Sequence, residues 1–296
     1  MIFGPTFEEM LHPVSIPSDI RQRALTALES NPLDPINLFN INWRGADDQI
    51  HHVVLPYELT GVPAKIVVLY GSKYPSGSHK VGPAYSVLLE KILFGEVDPK
   101  QHRLVWPSTG NYGIGGAWVG GRMGCNSVVV LPEEMSRERF ERIESYGASV
   151  IKTVGSESNV KEIYDETHRL RQDQNTRILN QFDEMGNYRF HYHVTGNTIA
   201  ELVQSLHAQG VGNGKVAAYV WAMGSAGTLA AGDRLKQLYP NCKIVGLEPV
   251  QCPTLYNNGY GAHEIQGIGD KHVTWVHNTF NMDAIMCIDD RDCLRG

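Results

Sequence analysis

The chain has 296 residues, of which 42% are hydrophobic and 20% charged, and it carries a net charge of −6. Such a chain can bury a sizeable core, as one large domain or as two lobes sharing a cleft. It has no long basic stripe, so the footprint of a nucleic-acid binder is missing and a small molecule is the expected partner. No run of about 18 apolar residues offers a membrane span, and the opening MIFGPTFEEM lacks the blocks of a secretory signal, so the chain reads as cytoplasmic with no membrane partner. Its five cysteines (Cys125, Cys242, Cys252, Cys287 and Cys293) are scattered and contain no C-x-x-C pair. Reduced thiols are expected, rather than a disulfide framework or a zinc site.

In chain order, the first fifty residues hold Pro5, Pro13, Pro17, Pro32 and Pro35 and read as an extension wrapped on the surface. Strands are predicted at KIVVLYG (65–71), RLVWP (103–107), NSVVVLP (126–132), ASVIKTV (148–154), KVAAYVWAM (215–223) and KIVGLEP (243–249). Their nearly continuous apolar character is that of buried parallel strands. Between them lie helical patterns. One runs from Met135 to Tyr146, opened by Ser136 with Arg139 and Glu141 on its wet side, and another from Val160 to Gln174 is rich in i,i+4 charge pairs. The alternation defines an α/β protein, with parallel strands covered by helices on both faces.

Three Gly-rich segments each follow a predicted strand and precede a predicted helix: Pro75-Ser-Gly-Ser-His-Lys80, Ser108-Thr-Gly-Asn-Tyr-Gly113 and Gly224-Ser-Ala-Gly-Thr228. Open α/β folds bind ligands at such turns, although any one of them alone is a common structural device. In the third, small residues let backbone amides approach an anion, and a helix starting near Leu229 adds its positive end. Neither a Walker loop nor the dinucleotide fingerprint matches, so a single phosphate fits better than a pyrophosphate. Lys80 stands at a predicted helix start, where the dipole disfavours a cation and favours the neutral amine that a Schiff-base nucleophile needs.

His191 and His193 read as alternating strand neighbours with no third metal ligand, so packing or hydrogen bonding accounts for them and no metal is assigned. The adjacent pairs Glu133-Glu134 and Asp289-Asp290 read as solvated charge, and Trp118 and Trp221 as core.

These loops, in this order, resemble fold type II pyridoxal-phosphate enzymes of the cysteine synthase and cystathionine β-synthase group. PSGSHK resembles their cofactor-lysine segment, STGNYGIGGAW their substrate-carboxylate loop and GSAGT their phosphate loop. Further segments match in register: LPEEMSRERFERIESYGASVI (131–151), NQFDEMGNYRFHYHVTGN (180–197), GLEPVQCPTL (246–255) and HEIQGIGD (263–270). The resemblance runs from about residue 50 to the end.

It implies a tryptophan synthase β-like architecture of two lobes, each with a mainly parallel sheet flanked by helices and with pyridoxal 5'-phosphate in the cleft between them. Residues 51–85 with 196–296 would form the larger, cofactor-binding lobe, and 86–195 the smaller lobe with the substrate loop. Residues 1–50 would be an N-terminal extension. Lys80 would carry the cofactor as a Schiff base and shuttle protons, and Asn111 would bond the pyridine 3-hydroxyl oxygen. Gly224, Ser225, Ala226, Gly227 and Thr228 would hold the phosphate. Ser108, Thr109, Asn111 and Gln181 would bind the substrate carboxylate. The implied reaction is β-elimination or β-replacement on a small amino acid through an aminoacrylate, in a homodimer.

Some features depart from that pattern. Tyr112 stands where cysteine synthases have a threonine. The pair His79-Lys80 is closer to tryptophan synthase β chains, but the acidic residue those carry in the second loop is replaced by Trp106 or Pro107. The family continues into a segment whose Ser or Thr faces the pyridine nitrogen, whereas this chain stops at Asp292-Cys-Leu-Arg-Gly296, which leaves a fragment as one reading. A related ammonia-lyase or thiolase-type chemistry, or a non-catalytic binding relative, are the alternatives.

Overall fold

The computed structural model describes residues 3–108, 110–155 and 160–295. Helices α1 (Phe7–Leu11) and α2 (Ser18–Ser30) and a 3-10 stretch at Pro35–Asn40 open the chain. Thr6 and Glu9 cap α1 reciprocally, each side chain bonding the other's backbone N–H. This segment is not laid over the surface. Met10, Leu38, Ile41 and Trp43 are at most 5% exposed and belong to the largest core cluster, and the Tyr85 hydroxyl donates to Pro5 O at 3.0 Å. The prolines set the turns of the segment, while its apolar residues decide where it packs.

The antiparallel pair β1 (His52–Leu55) and β2 (Ile66–Leu69) follows, joined through the single turn α3 (Tyr57–Thr60). The segment 65–71 is therefore not a buried parallel strand, since Ile66 and Val68 are exposed on alternate positions. A short β-branched run reads the same in both settings, because pairing is decided by the partner strand.

Helix α4 (Val81–Leu93) leads into a four-stranded parallel sheet of order β5-β4-β3-β6. Its strands are β3 (Arg103–Pro107), β4 (Asn126–Pro132), β5 (Ser149–Thr153) and β6 (Thr176–Ile178). Helices α5 (Asn111–Arg122), α6 (Arg137–Ser145) and α7 (Val160–Leu170) make the crossovers. Leu104, Trp106, Val129 and Leu131 join the main core with residues of α4 and α5, while Val105, Val128 and Val130 pack on Ile163 and Leu170 of α7. Both faces are thus covered, which is why these strands lack polar alternation.

Beyond β6, α8 (Met185–Phe190), a π-helical turn at His191–Thr195 and α9 (Gly196–Ala208) run on as one helical stretch. The expected strand pairing of His191 and His193 is corrected here. Two residues apart on a helix they point in different directions, and His191 is fully buried while His193 is exposed.

A second parallel sheet, of order β7-β8-β9, is built from β7 (Ala218–Ala222), β8 (Lys243–Pro249) and β9 (Ala284–Ile288). Helix α10 (Leu229–Leu238) crosses from β7 to β8, and the short α11 (Thr254–Asn257) and α12 (Asp290–Arg295) follow β8 and β9. Trp221 and Ile244 pack with Leu229 on one face, whereas Val220 and Met286 on the other are 55% and 54% exposed. Asp290 is not solvated charge. It is buried and accepts from the amides of Glu264 (2.7 Å) and Ile265 (3.3 Å), tying that loop to α12. No helix among the described residues is long and apolar enough to cross a membrane. All five cysteines are free thiols.

Candidate active site

Lys80 is the last residue of the Gly-rich turn after β2 and the N-cap of α4. Its position is fixed by close backbone packing. A Cβ on Gly115 of α5 would lie 3.0 Å from Lys80 O and from Val81 Cα, so only glycine lets α5 cross there. One turn away, a Cβ on Gly82 would fall 2.1 Å from the Phe190 ring. These crossings set α5 against the Lys80 backbone and α8 against the start of α4.

The Lys80 ammonium Nζ donates to Gln181 Oε1 at 3.2 Å and to Ser225 Oγ at 3.1 Å. The residue is half-buried. The surrounding protein pushes its pKa down to about 8, and the nearby Asp270 carboxylate opposes that shift. Burial, rather than the helix end emphasised by the sequence, is the larger cause. Its neighbour His79 stacks on Trp43 (5.8 Å) and meets His191 edge-on (5.4 Å). Burial pushes His79 down to about 3 and His191 well below the usual imidazole range, so both are neutral beside the lysine.

The segment Gly224–Thr228 winds from the end of β7 directly into α10. Leu229, Ala230 and Ala231 donate to the carbonyls three residues back, and Ala226 takes φ +64°, a left-handed conformation that costs a non-Gly residue about 1 kcal/mol. The five amides of Gly224, Ser225, Ala226, Gly227 and Thr228 have no acceptor among the described residues, and Ser225, Ala226 and Gly227 are buried. Buried amides left open in succession at a helix start form an anion cup. A phosphate fits this donor set, and a primary amine 3.1 Å from Ser225 Oγ fits a carbonyl cofactor carrying that phosphate.

Asn187, which motif reading passed over, organises the cup. It is fully buried, and its amide donates to Gln181 O (2.8 Å) and Ser225 Oγ (3.1 Å). A Cβ on Gly227 would lie 2.1 Å from Asn187 Oδ1. The signal available was an Asn one helical turn from Phe190 in a quoted family segment, but its contact with residues some 40 positions away had no local signature.

In the second loop, Ser108 is buried and its hydroxyl accepts from Gly110 N at 3.0 Å. Asn111 begins α5 with its side chain exposed, and Gln181 is buried against Lys80. Thr109 lies outside the described residues. Tyr112 turns away from the cleft. It is buried edge-on to Trp106 at 5.7 Å, and burial raises its hydroxyl pKa well above the ordinary value. Arg139 is half-buried. Its guanidinium packs against Gly110 and donates to Gln266 Oε1 at 2.5 Å.

A lysine amine and an anion cup meeting beside two parallel sheets define the class of α/β enzymes that hold a phosphate-bearing aldehyde covalently. The chain belongs to the pyridoxal-phosphate dependent enzyme family, whose model matches residues 57–290, and its relatives there are cysteine synthases. It is 31% identical over 220 residues to a probable cysteine synthase of Bacillus subtilis, which covers 74% of this chain and 68% of that protein. It is 31% identical over 224 residues to a cysteine synthase of Staphylococcus aureus, which covers 75% and 69%.

Among solved structures, cysteine synthase from Entamoeba histolytica superposes with a TM-score of 0.74 at 25% identity, covering 85% of this chain and 72% of that one. A hydrogen sulfide-producing enzyme from Fusobacterium nucleatum gives 0.71 at 26% identity, covering 78% and 74%. The fold is therefore that of the fold type II enzymes, and pyridoxal 5'-phosphate is the cofactor.

Proposed function

We propose that the protein catalyses β-elimination or β-replacement on a small amino acid, with Lys80 as the residue that carries the cofactor and moves the α-proton. The observation that carries this reading is the Lys80 amine at 3.1 Å from Ser225 Oγ, within a loop whose five amides are open to an anion. Gly224, Ser225, Ala226, Gly227 and Thr228 hold the phosphate, and Asn187 keeps Ser225 in place. Asn111 is assigned to the cofactor's 3-hydroxyl oxygen. Ser108, Thr109 and Asn111, with Gln181, receive the substrate carboxylate.

When bound, the cofactor supplies the electron sink that allows a proton to leave Cα. Lys80 as a free amine takes that proton. Its pKa of about 8 leaves about a tenth of it neutral at pH 7, a far larger fraction than an ordinary lysine offers. Residues 51–85 with 196–296 are assigned to the cofactor-binding lobe, 86–195 to the substrate lobe and 1–50 to an N-terminal extension, in a homodimer.

Protein loaded with pyridoxal phosphate is expected to show a visible band that Lys80→Ala removes. Serine, cysteine and their O-acyl or S-alkyl derivatives are expected to change the band and to release a β-substituent. A colourless wild-type protein, or a band indifferent to every β-substituted amino acid, overturns the proposal.

A further inference from the structure

One indole holds both ends of the turn that carries Lys80. Tyr74 opens this turn, and His79 closes it immediately before the lysine. Trp43 is 5% exposed, meets the Tyr74 ring edge-on at 5.0 Å and stacks on the His79 ring at 5.8 Å with an interplanar angle of 19°. The indole is itself pinned, because Trp43 Nε1 donates to Thr195 Oγ1 at 3.1 Å. Thr195 Oγ1 lies 3.0 Å from Nδ1 of His191, whose ring meets that of His79 edge-on at 5.4 Å. The His79 imidazole is thus held by two rings that are joined to each other through Thr195.

The turn's own hydrogen bonds, from Tyr74 N to Gly71 O (3.2 Å) and from Gly77 N to Tyr74 O (2.7 Å), set its shape, and Gly77 at its tip is exposed. Its place against the rest of the molecule comes from the side chains at its two ends. Beyond Lys80, the crossing of α5 at Gly115 fixes the backbone; before it, the Trp43 stack does so. Neighbouring Cα atoms are about 3.8 Å apart and rigidly joined, so a shift of His79 carries the Lys80 backbone with it. Trp43 comes from the N-terminal segment, ahead of the matched residues 57–290.

We infer that Trp43 is a positioning residue for Lys80, acting through its stack on His79, so that the N-terminal segment is part of the framework of the active site. The inference rests on the reading of Lys80 as the cofactor lysine and adds a residue to it. Two stacked rings resist both tilt and slide, since either movement loses contact area. The lysine amine must meet an aldehyde whose phosphate is held by a separate segment, Gly224–Thr228, and a displacement of about 1 Å is enough to slow a reaction between two held groups.

The test mixes apo-protein with pyridoxal phosphate and reads the rate at which the visible band forms, the circular dichroism of that band, and the protection that free phosphate gives against thermal unfolding. Trp43→Leu is expected to slow band formation about tenfold and to weaken its circular dichroism, with phosphate protection unchanged. Trp43→Phe keeps a ring against His79, loses only the bond to Thr195, and is expected to restore most of both. Leu38→Ala, in the same segment and fully buried, is expected to lose stability while forming the band at the wild-type rate. Equal slowing by Leu38→Ala, or none by Trp43→Leu, would show that Trp43 only fills the core and would overturn the inference. If Trp43→Leu does not fold, His79→Leu removes the same stack from the other side, and a wild-type rate there refutes the positioning role. With both changes together, the slowing is expected to fall short of the product of the single effects, because they remove one shared contact; a full product also refutes it. A wild-type protein that forms no band, or whose cofactor is found on another lysine after borohydride reduction, instead rejects the underlying reading of Lys80.

Discussion

The chemistry of this chain concentrates in one side chain whose charge is unfavourable where it stands. Lys80 titrates near 8 instead of 10.5 because the folded protein surrounds its amine. A base with a depressed folded pKa binds fewer protons when folded than when unfolded, so apo-protein stability rises with pH between about 8 and 10.5. Below that window the full penalty applies, about 3 kcal/mol for a shift of this size. Lys80→Met is therefore expected to stabilise the apo-protein by up to that amount at pH 7, with the advantage fading as pH approaches 10.5, as measured by denaturant unfolding across pH. The same titration governs cofactor capture, because the neutral amine attacks the aldehyde. The rate of band formation after adding pyridoxal phosphate to apo-protein is expected to climb with pH and level off above about 8.

Lys80 was legible in the sequence because its Gly-Ser turn before a helix resembles a family's cofactor-lysine segment; the turn alone is a common structural device. Asn187 was not, because its importance lies in joining Gln181, nearby in the chain, to Ser225 on a distant loop. Tyr112 sits inside a recognised loop, yet its side chain belongs to the core beside Trp106.

At the scale of elements, glycines set how closely helices approach the site. Gly227 is the most exacting of those in the anion cup, since an added Cβ would meet Asn187 Oδ1 at 2.1 Å. Gly227→Ala is expected to weaken pyridoxal phosphate binding at least about tenfold and to cost about 1–3 kcal/mol of stability, read by cofactor titration and denaturant unfolding. Asn187→Ala removes two buried hydrogen bonds and is expected to cost a similar amount while leaving the cup's backbone able to bind free phosphate. Phosphate protection against thermal unfolding distinguishes the two variants.

The strands of the four-stranded sheet were readable from their apolar runs, whereas β6, three residues of Thr-Arg-Ile, offered too little pattern to see. The antiparallel setting of β2 and the helical state of His191–Thr195 depended on neighbours that a local window does not contain.

Across the whole molecule, the two parallel sheets differ in how they are covered. The β3–β6 sheet has apolar packing on both faces, while the β7–β9 sheet presents Val220 and Met286 outward, with Trp275 at 82% and Phe280 at 93% exposure elsewhere on the surface. A contiguous apolar face of this kind attracts other apolar surfaces. The chain is expected to bind an environment-sensitive apolar dye. The double change Val220→Lys and Met286→Lys is expected to reduce that binding while altering stability by no more than about 0.5 kcal/mol per site, since both positions face solvent.

What the sequence determined by itself was local: most strands of the two parallel sheets, the three Gly-rich turns, the lysine at a helix start and the small-residue segment before α10. Those follow from steric freedom, helix dipoles and the burial of apolar runs, which act over a few residues. The tertiary structure decided which turns meet. Gly115 against Lys80, Gly227 against Asn187, and Thr274 and Val276 bonded to Ser225 and Phe182 are approaches between segments far apart in the chain. An amine becomes a poised nucleophile only when such approaches remove its water and leave open amides nearby, and no window of neighbouring residues contains that information.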